Sequence, residues 1–156
     1  MRSDIYNGIV SGLVAGVVFG IMMQMMNAPT PEGGQMSMMA MVAMVVRSGS
    51  MVVGWLYHLF NSAIIGAIFG WLLGSRSHNY GPALAWGATY GFAWWVLGAL
   101  ILMPLRLGMA PFAPLLMAPM QPVAMGSLMG HLIFGVILGG GFAMLTQGLP
   151  GRTRHA

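Results

Sequence analysis

Four stretches of this chain are long, apolar and almost free of charge, and they limit the folds open to it more than any other feature. They cover approximately residues 5–27, 50–74, 81–103 and 123–147. A helix of about 20 apolar residues crosses a hydrocarbon core about 30 Å thick, so each stretch is long enough to span a bilayer. Only 5% of the residues are charged, whereas soluble domains carry about 25%. The sequence therefore predicts an all-α membrane protein with four transmembrane helices, forming a single integral membrane domain over 1–156.

Two histidines lie at equivalent places inside apolar runs. Sliding the chain on itself by 73 residues pairs His58 with His131, and the same offset pairs Gly8 with Gly81. This pattern predicts two tandem, parallel two-helix repeats, related by an axis along the membrane normal. The two imidazoles should then lie at the same depth on opposite sides of that axis. The repeats cover about 5–74 and 78–147.

The arginines predict which side of the membrane each connection occupies. Four of them (Arg2, Arg76, Arg152 and Arg154) lie on the side of the termini, and two lie on the other side. By the positive-inside rule, both termini, including a short tail at 148–156, lie in the cytoplasm. The expected membrane is the inner (cytoplasmic) membrane. The connections 28–49 and 104–122 face outward, and their length and apolar character are typical of re-entrant or interfacial elements.

The two histidines within the spans have two interpretations. An ionisable side chain deep in a membrane usually faces the bundle interior and marks a functional site. In one interpretation, each neutral imidazole donates a hydrogen bond to a neighbouring helix and holds the bundle together. In the other, His58 and His131 are the axial ligands of a b-type haem. Arg47 and Arg106 are then the partners of the haem propionates.

Methionine is the third candidate chemistry, since the chain has 18 of them. Thioether sulfur is a soft ligand that selects Cu(I). Methionine is also a flexible filler of apolar surfaces, and that role explains runs of it equally well. The residues that a Cu(I) site would use are Met22, Met26, Met36, Met39, Met44, Met109 and Met117.

The sequence argues against an enzyme. Asp4 and Glu32 are the only carboxylates, one near each predicted surface, so no general acid–base pair can form, and we assign no catalytic residue. The chain has no cysteine, which removes thiol nucleophiles and disulfides. Its arginines are scattered, whereas a nucleic-acid-binding protein has a clustered basic face.

The segments HLFNSAIIG and HLIFGVILG carry a repeated His-Leu-x-x-Gly pattern, in which Ser62 of the first copy stands where the second has Gly135. In this respect the chain resembles a set of small four-span inner-membrane proteins of bacteria and archaea whose activity is uncharacterised. The resemblance implies a prokaryotic cytoplasmic membrane and brings no activity with it.

The preferred functional hypothesis is a non-catalytic integral membrane subunit. It would pack in the bilayer against a larger complex, such as a respiratory or photosynthetic one, or against copies of itself. The first alternative is a b-type haem electron-transfer subunit, and the second is a Cu(I)-binding membrane protein.

Overall fold

The computed structural model describes residues 2–30 and 33–148. It contains four helices long and apolar enough to cross a membrane, which confirms that part of the sequence prediction. Their bounds are Arg2–Met25, Met51–Arg76, Tyr80–Arg106 and Ala118–Gln147. The predicted cytoplasmic tail beyond Gly148, with Arg152 and Arg154, and the loop residues Pro31 and Glu32 lie outside the described residues.

The long helices satisfy their backbone hydrogen bonds internally, as any segment able to cross hydrocarbon must. The α-helices are α1 (Arg2–Met25), α2 (Met38–Val45), α3 (Met51–Leu73), α4 (Tyr80–Trp94), α5 (Met103–Arg106), α6 (Ala113–Leu116) and α7 (Gln121–Gln147). A π-helical segment, Trp95–Leu102, joins α4 to α5, and 3₁₀ turns cover Gly74–Arg76 and Ala118–Met120. Two short strands, β1 (Asn27–Pro29) and β2 (Gln35–Ser37), pair antiparallel between α1 and α2.

The helices α1 and α7 form the centre of the bundle. The packing follows the order α3, α1, α7, α4, because α1 packs on both α3 and α7 while α4 packs mainly on α7. Phe69 of α3 and Phe142 of α7 are fully buried and meet edge to face, with ring centroids 5.6 Å apart. Within the described part of the chain, α3 and α4 make little direct contact.

Glycines bring the two helices of each half into backbone contact. In the first half, a Cβ atom added to Gly8 or Gly66 would overlap the carbonyl group of the other residue. Gly87 and Gly135 are related in the same way in the second half. Close approach of this kind drives helix association in lipid, where apolar side chains gain little from leaving their solvent.

The helices α3 and α7 run in the same direction, since both are antiparallel to α1. The contacts that fix this are Asp4 with Gly70 and Gly12 with Ser62 between α1 and α3, and Asn7 with Thr146 and Phe19 with Gly130 between α1 and α7. Residues 58 and 131 are therefore carried by two parallel helices.

The contacts of the two halves do not keep one constant offset. Gly12 faces the backbone of Ser62, and Gly87 faces the backbone of Gly135. The second residues of these pairs are 73 apart, as predicted, but the first residues are 75 apart. Gly81, a match in the constant-offset alignment, has open space where a side chain would stand. Relative to a constant offset of 73, the contacts that α4 makes with α7 are therefore shifted by two residues along α4.

The connection 28–49 folds as the hairpin of β1 and β2 followed by α2. Ser37 begins α2 as its N-cap, with its Oγ accepting a hydrogen bond of 3.2 Å from the backbone N–H of Ala40. The helix packs mainly on α3 and also touches α1. We call this end of the bundle the α2 end.

The π-helical segment is anchored to α7. The indole Nε1–H of Trp95 donates a buried hydrogen bond of 3.1 Å to the carbonyl of Ala124. At the other end of the segment, the Met103 N–H donates to the carbonyl of Gly98, five residues earlier. Such wide turns are rare and occur mostly at functional sites.

Proline shapes the connection 104–122. Pro104 has no N–H, so it leaves the carbonyl of Leu100 without its usual helical donor. The backbone N–H of Phe112 takes that place at 2.7 Å, and Phe112 adopts a left-handed conformation with φ 62°. The connection is therefore broken into short helices that fold back on the π-helical segment.

Candidate functional site

A cleft lies between α3 and the π-helical segment, where these two helices diverge. Near the middle of the bundle, Tyr90 of α4 links that helix to α3, because its hydroxyl donates a hydrogen bond of 2.8 Å to the carbonyl of Ile65. The ring of Tyr90 also meets Phe69 edge to face, with centroids 5.4 Å apart. Toward the α2 end the helices part around a cavity of about 260 Å³. We call it the imidazole cleft, after the two histidines in its lining, which includes His58, His131, Tyr57, Asn61, Trp94 and Phe134.

The imidazole cleft opens to the side of the bundle. Ile64 on α3 and Leu102 in the π-helical segment belong to its lining and are exposed. Val42 and Val45 of α2 close it at the α2 end. Small-molecule pockets generally have volumes of about 300–1000 Å³, so this cleft suits a small ring or head group more than a large ligand.

His58 ties α3 to α1. Its Nε2–H donates a hydrogen bond of 2.8 Å to the carbonyl of Gly16. Because a carbonyl oxygen can only accept, Nε2 carries the proton of the neutral ring and Nδ1 carries the lone pair. Ser62, one turn further along α3, donates its hydroxyl proton to the carbonyl of His58 at 2.8 Å.

His131 hydrogen-bonds within its own helix. Its Nδ1–H donates to the carbonyl of Ser127 at 2.8 Å, and the Ser127 hydroxyl lies 3.4 Å from the same nitrogen. The neutral ring therefore carries its lone pair on Nε2. Unlike His58, this imidazole joins no second helix through a hydrogen bond.

Phe19 of α1 contacts both imidazoles. Its ring centroid lies 5.7 Å from that of His58 and 4.8 Å from that of His131, with edge-to-face geometry in both pairs. Coordination of a haem iron through His58 Nε2 would require this nitrogen to turn away from Gly16. Because Phe19 packs against both rings, a haem held by them would also have to displace this side chain or pack beside it.

The two arginines predicted as propionate partners lie near the α2 end of the cleft. Arg106 lines it, and its Nη2 donates a hydrogen bond of 3.3 Å to the carbonyl of Val45. Arg47 follows α2 in a left-handed conformation with φ 59° and is exposed. Only Arg106 reaches the cleft.

The seven methionines proposed for Cu(I) are dispersed. Met39 of α2 is fully buried, Met22 and Met26 pack against the core, and Met44 and Met117 are exposed. A separate cavity of about 30 Å³ has five methionines in its lining, namely Met38, Met41, Met103, Met109 and Met120. Met109 is the only one of these that the sequence pattern singled out. Within residues 2–30 and 33–148, no group of three histidine or acidic side chains is placed to hold a metal ion.

Several residues that shape the cleft were missed by sequence reasoning. Phe19 packs on both imidazoles, Trp94 lines one wall, and Gly98 leaves space in the π-helical segment. The adjacent tryptophans at 94 and 95 were a usable signal, because two neighbouring indoles in mid-span cannot both belong to a belt at the membrane surface.

No protein-family model, curated protein or solved structure matches this chain. The geometry of the imidazole cleft is therefore the basis for a functional proposal.

Proposed function

We propose that this chain is a non-catalytic integral membrane subunit that binds a lipid-soluble molecule in the imidazole cleft. It would act within a larger membrane complex, for example one that carries out electron transfer. The observation that carries the proposal is the meeting of two imidazoles, from α3 and α7, in a mostly apolar cleft with a lateral mouth. A concave, mostly apolar site with a few convergent polar groups is the usual form of a small-molecule site.

The lateral mouth supports entry from the bilayer. If the four long helices span a membrane, Ile64 and Leu102 face the acyl chains, so an apolar molecule can enter without crossing water. The carboxylate Asp4 lies at the opposite end of the bundle, against Gly70 and Gly74. The cleft thus offers hydrogen bonds and apolar contact without an acid–base pair, which favours binding over catalysis.

A substitution that fills the cleft tests this proposal. A Cβ atom added to Gly98 would meet only Trp94 Cε3, at 4.0 Å, so Gly98→Leu has room to enter the cleft without displacing backbone. We expect the wild-type protein, purified in mild detergent, to retain one apolar compound at near-equimolar ratio. Mass spectrometry of solvent extracts should show that Gly98→Leu loses this compound while keeping its thermal unfolding temperature.

Gly81→Leu is the matched control, because an added Cβ there meets nothing within 4 Å and Gly81 is outside the cleft. It should retain the compound. Extracts that match the bulk lipid composition equally in all three proteins would contradict binding in the cleft.

We place the protein in a prokaryotic inner membrane with both termini in the cytoplasm. The distribution of arginines supports this orientation, with Arg47 and Arg106 at the outward, α2 end. On this view α2 and the broken connection 104–122 are interfacial elements. Gentle native purification followed by mass spectrometry tests whether the chain belongs to a larger complex; a protein that is stable as a monomer and co-purifies with nothing would argue against the subunit role.

We also propose that the chain arose by tandem duplication. Equivalent glycine contacts in the two halves and the common direction of α3 and α7 support this. The two-residue shift of the third span then reflects divergence after duplication. A b-type haem between the two halves stays an alternative, and an absorbance spectrum with a Soret band would favour it over the lipid-soluble ligand.

A further inference from the structure

We infer that the molecule bound in the imidazole cleft is a hydroxyaromatic lipid of the quinol type, held in its reduced, hydroxyl-bearing form. This inference rests on the proposed function and specifies its ligand. It follows from the hydrogen-bonding groups of the cleft that are not already engaged by other described residues.

Both imidazoles have used their N–H groups on backbone carbonyls. His58 donates from Nε2 to Gly16, and His131 donates from Nδ1 to Ser127. Each neutral ring has one N–H, so His58 Nδ1 and His131 Nε2 are acceptors. Among the described residues neither of these nitrogens has a hydrogen-bond partner. The cleft therefore presents two acceptors that a ligand must meet with donors.

Other residues of the lining add donors. The amide of Asn61 lies on the same side of α3 as His58, and the guanidinium of Arg106 has further N–H groups besides the one that it donates to Val45. A hydroxyl group can donate to an imidazole nitrogen and accept from such a donor at the same time. A quinone carbonyl or an ether oxygen only accepts, so it would leave both imidazole nitrogens unpaired. Unpaired polar groups in an apolar site cost binding free energy, which selects a hydroxyl.

Aromatic side chains favour an aromatic ring as the carrier of that hydroxyl. Phe19, Tyr57, Trp94 and Phe134 all line the cleft. Aromatic groups gain from edge-to-face and offset contacts with one another, beyond the burial of their surface. The volume of about 260 Å³ accommodates a head group, while an apolar tail can leave through the mouth between Ile64 and Leu102.

A matched series of three ligands tests the inference with the wild-type protein. The probes are decylhydroquinone, decylbenzoquinone and the dimethyl ether of the hydroquinone, titrated anaerobically in detergent by calorimetry. All three carry the same tail on a six-membered ring; the dimethyl ether keeps the aromatic ring without O–H donors, and the quinone replaces both hydroxyls by carbonyls. We expect the hydroquinone to bind about tenfold more tightly than either of the others, as one or two good hydrogen bonds would give.

The outcomes separate the inference from the proposed function. Equal binding of all three probes, or tighter binding of the quinone, would overturn the hydroxyl preference and leave lipid binding in the cleft intact. If no probe binds and Gly98→Leu also loses no native compound, the proposed function falls with it.

Substitution of the second imidazole gives an independent test. His131→Phe keeps a ring and removes only a hydrogen bond within α7, so the fold should survive. It should lower hydroquinone affinity about tenfold while leaving the affinity for the dimethyl ether unchanged. His78→Phe, outside the cleft, is the control and should change neither affinity. A loss of both affinities to the same extent in His131→Phe would mean that the imidazole only shapes the cleft.

Discussion

The two halves of the molecule use the same helix packing but treat their imidazoles differently. In each half two antiparallel helices touch through glycine backbones. In the first half, His58 donates a hydrogen bond to the carbonyl of Gly16 in α1. In the second half, His131 donates to the carbonyl of Ser127 in its own helix. The His58 imidazole thus joins two helices, whereas the hydrogen bond of His131 stays within one helix.

A single position accounts for much of this difference. Gly20 in α1 leaves space that Trp55 and His58 occupy, since a side chain there would overlap both. The contact register places Trp95, the first residue of the π-helical segment, at the corresponding position of the second half. Its indole fills the space and hydrogen-bonds to Ala124 instead. In the first half, His58 and Trp55 therefore pack against α1 at Gly20. In the second half, Trp95 takes this position and begins the π-helical segment.

The largest effect should come from breaking the shared glycine packing. A Cβ at Gly66 would overlap the Gly8 carbonyl, and a Cβ at Gly135 would overlap the Gly87 carbonyl. Gly66→Leu and Gly135→Leu should each lower the free energy of unfolding by about 3 kcal/mol or more, because neither helix can move aside without losing its contacts. Denaturant titration in detergent micelles measures this.

Gly81→Leu, with open space around its position, should leave the free energy of unfolding within about 0.5 kcal/mol of wild type. If one half tolerated its leucine and the other did not, the two halves would not share the packing described above.

An intermediate effect should separate the two imidazoles. His58→Ala and His131→Ala both remove a ring that packs on Phe19. Only His58→Ala removes a hydrogen bond between helices, and such bonds in membrane proteins contribute about 0.6 kcal/mol on average. His58→Ala should therefore be the more destabilising variant by about that amount in the same titration. Equal losses of unfolding free energy, or a larger loss in His131→Ala, would contradict a stabilising role for the hydrogen bond between His58 and Gly16.

Much of the architecture was predictable from sequence because the membrane allows few solutions. Long uncharged runs predicted the four spans, and with them the positions of His58 and His131 on the second and fourth of these. The shape of the cleft was not predictable in this way. It depends on Phe19, on the π-helical turn after Trp94 and on the divergence of α3 from α4, which arise from side-chain volume and from contacts distant in sequence.

The positions of the methionine sulfur atoms were not predictable from sequence for a related reason. Methionine side chains bend to fill whatever space the helices leave, so spacing along one helix says little about where the sulfur lies. The five methionines around the small cavity come from α2, α5 and the connection that follows α5, and from the turn before α7.

The smallest effect, and the finest test of the comparison, concerns Tyr90, where the two halves meet beneath the cleft. Tyr90→Phe removes the hydrogen bond to the Ile65 carbonyl and keeps the ring contact with Phe69. The loss should be about 0.6 kcal/mol of unfolding free energy. Because this bond joins α3 to α4 at the base of the cleft, its removal should also speed exchange of a bound decylhydroquinone without abolishing binding. Thr89→Ala, whose hydroxyl bonds only within α4, is the matched control and should leave the exchange rate unchanged. An unchanged rate in Tyr90→Phe would mean that the divergence of the helices is set by the π-helical segment and its Trp95 anchor, and that the halves are held apart by packing alone.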